Sequence, residues 1–398
     1  DAELISNAHI NVVNDFEVKP DAWFTNTINN ALNVGADAIF KADATGMASY
    51  IDDGGTTVTG TTNVEQYITS ERWHLVSSPI TDATINTYYD VHLKFYNEPT
   101  NSWTYLVNPV TIPMNIAQGY SAWSSDSYLG TTTVTFSTLT GQLNSTEITV
   151  DTLDYTSGAT LAGFNLMGNP YPCALNWSSN WPMTNLSGWM QIYDNGIYRG
   201  YHIDGTSYNG GTPIIPSTQG FWIRALGSDA SITIPLSARV HNSQGFYKDA
   251  GKQDHPMVSL SSEINGVTDE TKLVFSPQTI IGLDPKFDLE KFENVDDAPT
   301  LFTMSEGREY AVNYLPEDYD NLIIPVGFKT GQEGLYQIKS PVIANMSTNV
   351  HVYLQDVKLD KTVELYENSV YEFVFSPLDE PHRFNLIFKD GYFGSEEL

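Results

Sequence analysis

The chain has 398 residues, with 19 Lys and Arg against 48 Asp and Glu, which gives a formal net charge of −29. A charge this negative repels phosphate backbones and anionic lipid headgroups, so nucleic-acid binding and membrane-surface binding are disfavoured. The single cysteine excludes an internal disulfide and a cysteine-rich metal centre, and no apolar run of about 18 residues is present to cross a bilayer.

Composition and periodicity predict an all-β fold. Tyr, Phe and Trp are frequent, and 29 Gly and 20 Pro punctuate the chain. Apolar and polar residues alternate over residues 132–136, 232–236, 350–354 and 384–388, a period that places one side chain in a core and the next in solvent. Helix is expected only in small pieces, near residues 177–180 or 288–292. Because the sequence opens at Asp1 without a signal peptide, we expect a mature or trimmed chain.

Residues 1–68 are predicted to form a ladder of short strands. Apolar segments at residues 9–13, 15–18, 31–34 and 38–41 are each bounded by Asn, Gly, Asp or Pro. Their spacing of about 8 to 12 residues is typical of either a few coils of a β-solenoid or a small meander. The cap that a solenoid needs is expected from the next zone or from another chain.

Residues 69–255 contain an internal repeat, which predicts a tandem pair of related β-units. The first copy has WHLVSSP at 73–79 and QGYSAW at 118–123, and the second has FNLMGNP at 164–170 and QGFWI at 219–223. An offset of roughly 90 to 100 residues is too long for one solenoid turn and fits two similar units packed side by side. In each copy, the first motif indicates a buried strand that stops at a proline, and the second indicates a turn that leads into another strand.

Residues 256–398 are predicted to form a C-terminal β-sandwich, immunoglobulin-like or jelly-roll. This zone holds 25 of the 48 acidic residues, and the rise in charge density supports a boundary near residues 251–256. About eight alternating segments separated by turn residues are typical of such a sandwich.

The motifs at 73–79, 168–172 (GNPYP), 175–177 (LNW), 219–221 and 238–241 (ARVH) resemble a large family of secreted surface proteins of Bacteroidetes bacteria. The segments at 268–271 (TDET) and 383–388 (RFNLIF) are also similar to that family, so the resemblance covers most of the chain. It implies export by type IX secretion and a location in the extracellular space or on the outer cell surface. Residues 391–398 stop where the family's sorting domain would begin, so we expect a cargo whose signal was removed after export.

No catalytic constellation is visible in the sequence, so we expect that the protein is not an enzyme. It has no Gly-x-Ser-x-Gly motif and no histidine pair with the spacing of zinc hydrolases. The lone Cys173 is interpreted as a small buried residue rather than a nucleophile. Two carboxylates for glycoside hydrolysis cannot be placed from sequence alone.

Several turns are rich in acidic residues, which makes calcium the metal to consider. They lie at residues 52–55, 194–196 and 284–288, and at Asp296 and Asp297. Hard cations take several oxygen ligands from one loop, but none of these turns has the alternating ligand positions of an EF-hand loop. Solvated turns at strand ends are therefore the favoured interpretation, and no cofactor is expected.

Aromatic residues are the remaining signal for binding. They are concentrated in residues 69–255, where they either fill the cores of two sheets or stack on sugar rings. The loop with Trp177, Trp181 and Trp189 lies among Ser, Asn and Gly, so it is the best candidate for an exposed binding surface. The resemblance also implies an O-glycosylation site at Thr152, within Asp151-Thr152-Leu153.

The sequence favours an extracellular structural protein that self-assembles into a filament, sheath or adhesive layer. Strand edges and an unfinished N-terminal ladder offer surfaces for strand addition by a neighbour. We therefore expect a homopolymer in which residues 1–20 pair with the sheet of the adjoining subunit. The alternative is a carbohydrate-binding adhesin of the cell surface, with a glycan as partner. Neither function requires nucleic acid or membrane insertion.

Overall fold

The computed structural model describes residues 3–27, 29–107, 109–139, 142–242, 255–296, 298–319 and 321–390. The all-β prediction is confirmed, because within these ranges the helical elements are three short 3₁₀ turns, at Ile85–Tyr88, Glu98–Thr100 and Leu236–Ala238. The predicted helical pieces are wrong. Residues 177–180 form a turn, and Leu289–Glu290 is a strand.

The strands up to the first β-unit are short. They are β1 (Glu3–Ser6), β2 (Ile10–Val12), β3 (Phe16–Val18), β4 (Trp23–Asn26), β5 (Leu32–Val34), β6 (Ala38–Phe40), β7 (Ala42–Asp43), β8 (Gly46–Met47), β9 (Ser49–Asp52), β10 (Thr56–Val58) and β11 (Thr62–Ile68). The strands that follow, up to residue 240, are β12 (Trp73–Val76), β13 (His92–Asn97), β14 (Ser102–Leu106), β15 (Tyr120–Trp123), β16 (Thr132–Thr138), β17 (Ile148–Val150), β18 (Phe164–Gly168), β19 (Ala174–Asn176), β20 (Met183–Thr184), β21 (Trp189–Asp194), β22 (Ile197–His202), β23 (Ser207–Tyr208), β24 (Ile214–Ile215), β25 (Gly220–Arg224), β26 (Ser231–Ile234) and β27 (Arg239–Val240).

The C-terminal strands are longer. They are β28 (Met257–Ile264), β29 (Val267–Phe275), β30 (Leu289–Glu290), β31 (Thr300–Ser305), β32 (Arg308–Leu315), β33 (Ile323–Lys329), β34 (Gly334–Ala344), β35 (Val350–Asp356), β36 (Lys361–Leu365), β37 (Ser369–Phe375) and β38 (Phe384–Asp390).

The chain divides into two compact units. Unit 1 takes its described residues from Asp1–Asn195, His202–Asp204 and Thr212–Lys248, and unit 2 from Gly196–Tyr201, Gly205–Gly211 and Asp249–Leu398. The division into 1–68, 69–255 and 256–398 stays a prediction. Its proposed boundary at residues 251–256 lies in part outside the described residues, as do residues 391–398.

The N-terminal strands stack as a parallel β-solenoid of three coils. Three columns of strands stack in parallel register: β1, β4 and β9; β2, β5 and β10; and β3, β6 and β11. Ile10 lies opposite Leu32, and Leu32 lies opposite Thr56, so each coil repeats the one before it.

Alternation of apolar and polar residues explains why these short segments stack. Leu32 and Val34 point into a core that the ladder shares with strands of the first β-unit. Between them, Asn33 points outward and donates its side-chain amide to Asn11 of the preceding coil at 2.9 Å. Gly35 allows the close approach, because a Cβ there would lie 2.4 Å from the Val13 carbonyl oxygen.

The internal repeat is visible in the strand pairing of unit 1. In the first copy β12 pairs antiparallel with β15, and in the second copy β18 pairs antiparallel with β25, so each proline-ended motif is the partner of its own Gln-Gly-aromatic motif. The two copies are also joined to each other by isolated β-bridges. Val76 pairs with Gln219, and its equivalent Met167 pairs with Gln118, which makes the contact between the copies reciprocal.

Unit 2 is built on one long sheet. Its order is β36, β35, β38, β33, β31, β32, β29, β28, β34 and β37, with β30 paired to β32 off this path. Apart from the parallel pair β29 and β32, the neighbouring strands are antiparallel. Alternate residues of these strands form one apolar core, as expected of a sandwich-type fold.

Candidate functional site

The first coil of the solenoid has open strand edges. Ile10 donates its N–H to Ala31 at 2.9 Å, and Val12 accepts from Gly35 at 2.7 Å, so residues 10 and 12 both use their peptide groups toward β5. Because peptide groups alternate in direction along a strand, the N–H and C=O of Asn11 point away from the ladder. Within the described residues, no strand covers this edge.

The other end of the same column also has no paired strand in the part of the chain that the structure describes. Leu32 donates to Gly55 at 3.1 Å and Thr59 donates to Val34 at 2.9 Å, so the odd-numbered residues of this segment face β5. The peptide groups of Thr56 and Val58 therefore point outward. Beside them lies a groove of about 470 Å³ that Leu139 and other residues line.

The two flanking columns are closed at this end. β11 pairs antiparallel with β16, from Thr62 opposite Thr138 to Ile68 opposite Thr132. The outward N–H of Tyr50 in β9 donates to the Pro172 carbonyl at 2.8 Å. The β2–β5–β10 column is therefore the one of the three that is open at both ends among the described residues.

The open strand edges of the first coil differ in charge. β3 carries Glu17, which forms an ion pair with Lys19, and this ammonium holds the pKa of the Glu17 carboxyl below its usual value. Charged edge strands resist the addition of another strand. β2 and β10 contain no ionisable side chain, so the column that is open at both ends is also the one that lacks this protection.

Apolar side chains at the first coil are left partly uncovered. Val13 is 85% exposed, and Leu4 and Ile5 are also exposed. Ile10, Val12 and Phe16 pack on the solenoid core but remain only partly buried. Another layer of chain against this end would remove apolar surface from water, which is a favourable contribution to association.

The predicted exposure of Trp177, Trp181 and Trp189 is wrong. All three side chains are buried, with 1 to 3% of their surface exposed. The Trp177 indole N–H donates to the Gly188 carbonyl at 3.0 Å, and that of Trp181 donates to the Asn176 carbonyl at 2.9 Å. Each of these two indoles has a hydrogen-bond partner inside the protein and fills part of a core. The polar residues around these tryptophans in the sequence therefore did not indicate that the rings are accessible.

Substitution of Trp177 by alanine is expected to lower the free energy of unfolding by about 3 to 5 kcal/mol, because it removes a fully buried ring that also contacts Trp181. Urea denaturation of the full chain, followed by tryptophan fluorescence, measures the loss. Trp123→Ala is the control, since this half-buried ring is expected to cost less. Equal stability of Trp177→Ala and the parent would contradict the packing described here.

The cysteine and two of the histidines, His74 and His241, are buried or hydrogen-bonded within the protein. Cys173 is buried, and desolvation raises the pKa of its thiol to about 12, which confirms its interpretation as a small buried residue. Burial lowers the pKa of His74, whose Nε2 lies 3.0 Å from the Thr69 hydroxyl. His241 lies between the hydroxyls of Thr25 and Ser49, at 2.7 and 2.8 Å.

The acidic turns have internal partners. Asp52 accepts hydrogen bonds from Asn26 and the Gly55 N–H, and Asp53 forms an ion pair with Arg239. Asp297 lies outside the described residues. Elsewhere in the described chain, no group of three or more His, Cys, Asp or Glu side chains is placed to hold a metal ion. Thr152 is exposed, and its glycosylation stays a prediction.

A second surface, which sequence analysis missed, is a groove beside β13 and β14. We call it the tyrosine groove, and it is lined by Tyr89, Tyr105, Tyr128, Asp90 and His92. The available signal was the alternation in β13, where His92, Lys94 and Tyr96 share one face while Leu93 on the other face is buried. This pattern indicates aromatic and polar side chains on a solvent-facing sheet surface.

Comparison with known proteins gives a family without an assigned activity. A family model described as a domain of unknown function matches residues 2–388. No curated protein and no solved structure matches the chain. In the described ranges, no helical segment combines the length and the apolar character needed to cross a membrane.

Proposed function

The chain belongs to the DUF8693 family, and we propose that it is an extracellular structural protein that assembles with copies of itself into a surface filament, sheath or adhesive layer. The observation that carries this proposal is the β2–β5–β10 column, which is uncharged and, among the residues that the structure describes, open at both ends. When the β10 end of one copy binds the β2 end of another, the pair still has one free β2 end and one free β10 end. Further copies can therefore add at both ends, which produces a filament unless the rotation between copies closes a ring.

The hydrogen-bonding groups of the two open ends are complementary. In the parallel ladder, each new strand offers its outward peptide groups to the inward groups of the next strand. Thr56 and Val58 of one copy flank the position that Asn11 of a second copy would occupy, just as Leu32 and Val34 flank Thr57 in the present ladder. Addition of β2 from a second copy would therefore continue a register that the chain already uses twice.

Charge and location fit this role. A net charge of −29 keeps separate copies soluble before assembly, and dissolved cations reduce the repulsion between assembled copies. The extracellular location rests on the resemblance to type IX secreted surface proteins and is part of the proposal. The adhesin alternative, as formulated for Trp177, Trp181 and Trp189, lacks an accessible surface because these rings are buried.

Sedimentation velocity and negative-stain electron microscopy of the purified full chain test the proposal. We expect polymers whose size rises with protein concentration, and we expect Val13→Lys to abolish them because Val13 is 85% exposed beside the β2 edge. The matched control is Leu378→Lys in unit 2, since Leu378 is 96% exposed and lies outside the solenoid. A chain that stays monomeric at every concentration, or a Val13→Lys variant that polymerises like the control, would refute the proposal.

A further inference from the structure

The tyrosine groove is an open cavity of about 480 Å³ in unit 1. Tyr105 is 55% exposed, and Tyr89 and Tyr128 are exposed as well. Large aromatic side chains normally contribute to a core, so three exposed rings around one cavity are unusual and mark a binding surface. The groove is separate from the open solenoid column, so a ligand could bind there whether or not the protein self-assembles.

Local sequence places the groove on a rigid sheet. Tyr105 in β14 lies opposite Lys94 in β13, and Trp103 lies opposite Tyr96, so both strands direct aromatic side chains to the same face. Before β13, Asp90 has a left-handed backbone with φ of 66°, and this turn brings Tyr89 and Asp90 to the rim. A site on paired strands holds its rings in fixed relative positions.

Further rings extend the surface beyond the groove. His92 lies 5.3 Å from Trp123 and 6.4 Å from Tyr105, measured between ring centroids. The Lys94 ammonium lies 3.5 Å from the Trp73 ring centroid and 4.7 Å from that of Trp103. The cation is therefore held among aromatic faces, where it can donate hydrogen bonds to a ligand on the same surface.

Polar groups accompany the rings at the rim. The negative charge of the nearby Asp90 carboxylate raises the pKa of Tyr128. Asp90 supplies acceptor atoms, Lys94 supplies donor hydrogens, and the His92 ring offers one of each in its neutral form. The Asp90 carboxylate and the Lys94 ammonium carry opposite charges, so together these groups complement a neutral ligand with many hydroxyl groups.

We propose that the tyrosine groove binds a neutral pyranose chain. A pyranose ring has an apolar C–H face, which stacks on an exposed aromatic ring, and an edge of hydroxyls, which act as donors and acceptors at once. Tyr105 provides the central stacking face. Asp90 and His92 bond to the hydroxyls of the sugar that lies in the groove, and the row of Trp123, Trp103 and Lys94 contacts neighbouring sugars.

Binding of immobilised hexasaccharides to the full chain tests this site. The probes are cellohexaose, xylohexaose, mannohexaose and chitohexaose, with tetragalacturonate as the charged comparison. We expect at least one neutral probe to bind, and we expect Tyr105→Ala to weaken that binding by about tenfold because a stacking face is lost. Tyr366→Ala in unit 2 is the matched control, since this tyrosine is 63% exposed and should leave binding unchanged.

A second variant separates loss of the site from loss of the fold. Asp90→Asn keeps the size of the side chain and removes its charge, and we expect it to weaken the same probe by several-fold while the circular dichroism spectrum and melting temperature stay at parent values. Absence of binding to all four neutral probes overturns the proposal. So does tighter binding of tetragalacturonate than of any neutral probe, or unchanged affinity in Tyr105→Ala.

Discussion

Substitution of Asn11 by proline is expected to abolish polymers while the monomer stays folded. The peptide N–H of Asn11 points to the open side of β2, so proline removes a donor that serves only an added strand. Inside the monomer, the change removes the side-chain bond from Asn33 to Asn11, which is exposed and worth about 0.5 to 1.5 kcal/mol. Sedimentation velocity measures the loss of polymer, and thermal melting measures the small loss of stability.

Asn11→Ala is the matched control for this experiment. It loses the same side-chain bond but keeps the peptide N–H, so we expect it to polymerise like the parent. Val12→Pro gives the opposite comparison, because the peptide of Val12 faces β5 and its loss should destabilise the monomer itself. If Asn11→Pro polymerised as well as Asn11→Ala, the β2 edge would not be part of the contact between subunits.

Substitution of Asp269 by alanine is expected to give the largest loss of stability in unit 2. The Asp269 carboxylate is fully buried and lies 2.5 Å from the ammonium of Lys291, which is also fully buried. It also accepts hydrogen bonds from the Tyr208 hydroxyl and the Leu301 N–H. Removing it leaves a buried cation without its counter-charge, which costs about 3 to 5 kcal/mol.

Chemical denaturation of the Asp269→Ala variant measures this cost. Glu263→Ala is the control, because Glu263 pairs with Lys339, both side chains are about half exposed, and such surface pairs contribute about 0 to 1 kcal/mol. The double variant Asp269→Leu with Lys291→Met should recover part of the loss, since it removes both charges and keeps apolar volume. A stability of Asp269→Ala equal to that of Glu263→Ala would show that the buried pair contributes little.

Local patterns predicted the strands of this molecule well, because their signal is contained in a few neighbouring residues. The segment at residues 31–34 alternates apolar and polar residues, and the structure has a strand at Leu32–Val34 with both apolar ends buried. The repeat motifs likewise identified strands, and the structure adds that each copy pairs the strand of its first motif with the strand of its second. These features depend on period and self-similarity, which a single sequence contains.

Partners that are distant along the chain could not be predicted in the same way. β11 pairs with β16, and β29 pairs in parallel with β32, although nothing in either sequence specifies its partner. The exposure of aromatic rings depends on such pairings. Trp177 was expected to be exposed because its neighbours are polar, yet it packs on Trp181 and Phe221. Tyr89 and Asp90 reach the same groove as Tyr105 only after β13 and β14 have paired.

The reciprocal bridges between the two β-units have a consequence for the origin of the chain. Val76 contacts Gln219 and Met167 contacts Gln118, so the same two positions of the repeat meet twice, once from each copy. A surface with this property is self-complementary, so a single ancestral unit could have formed a homodimer through it. Gene duplication and fusion would then have tethered the two halves, which makes their association unimolecular and independent of protein concentration.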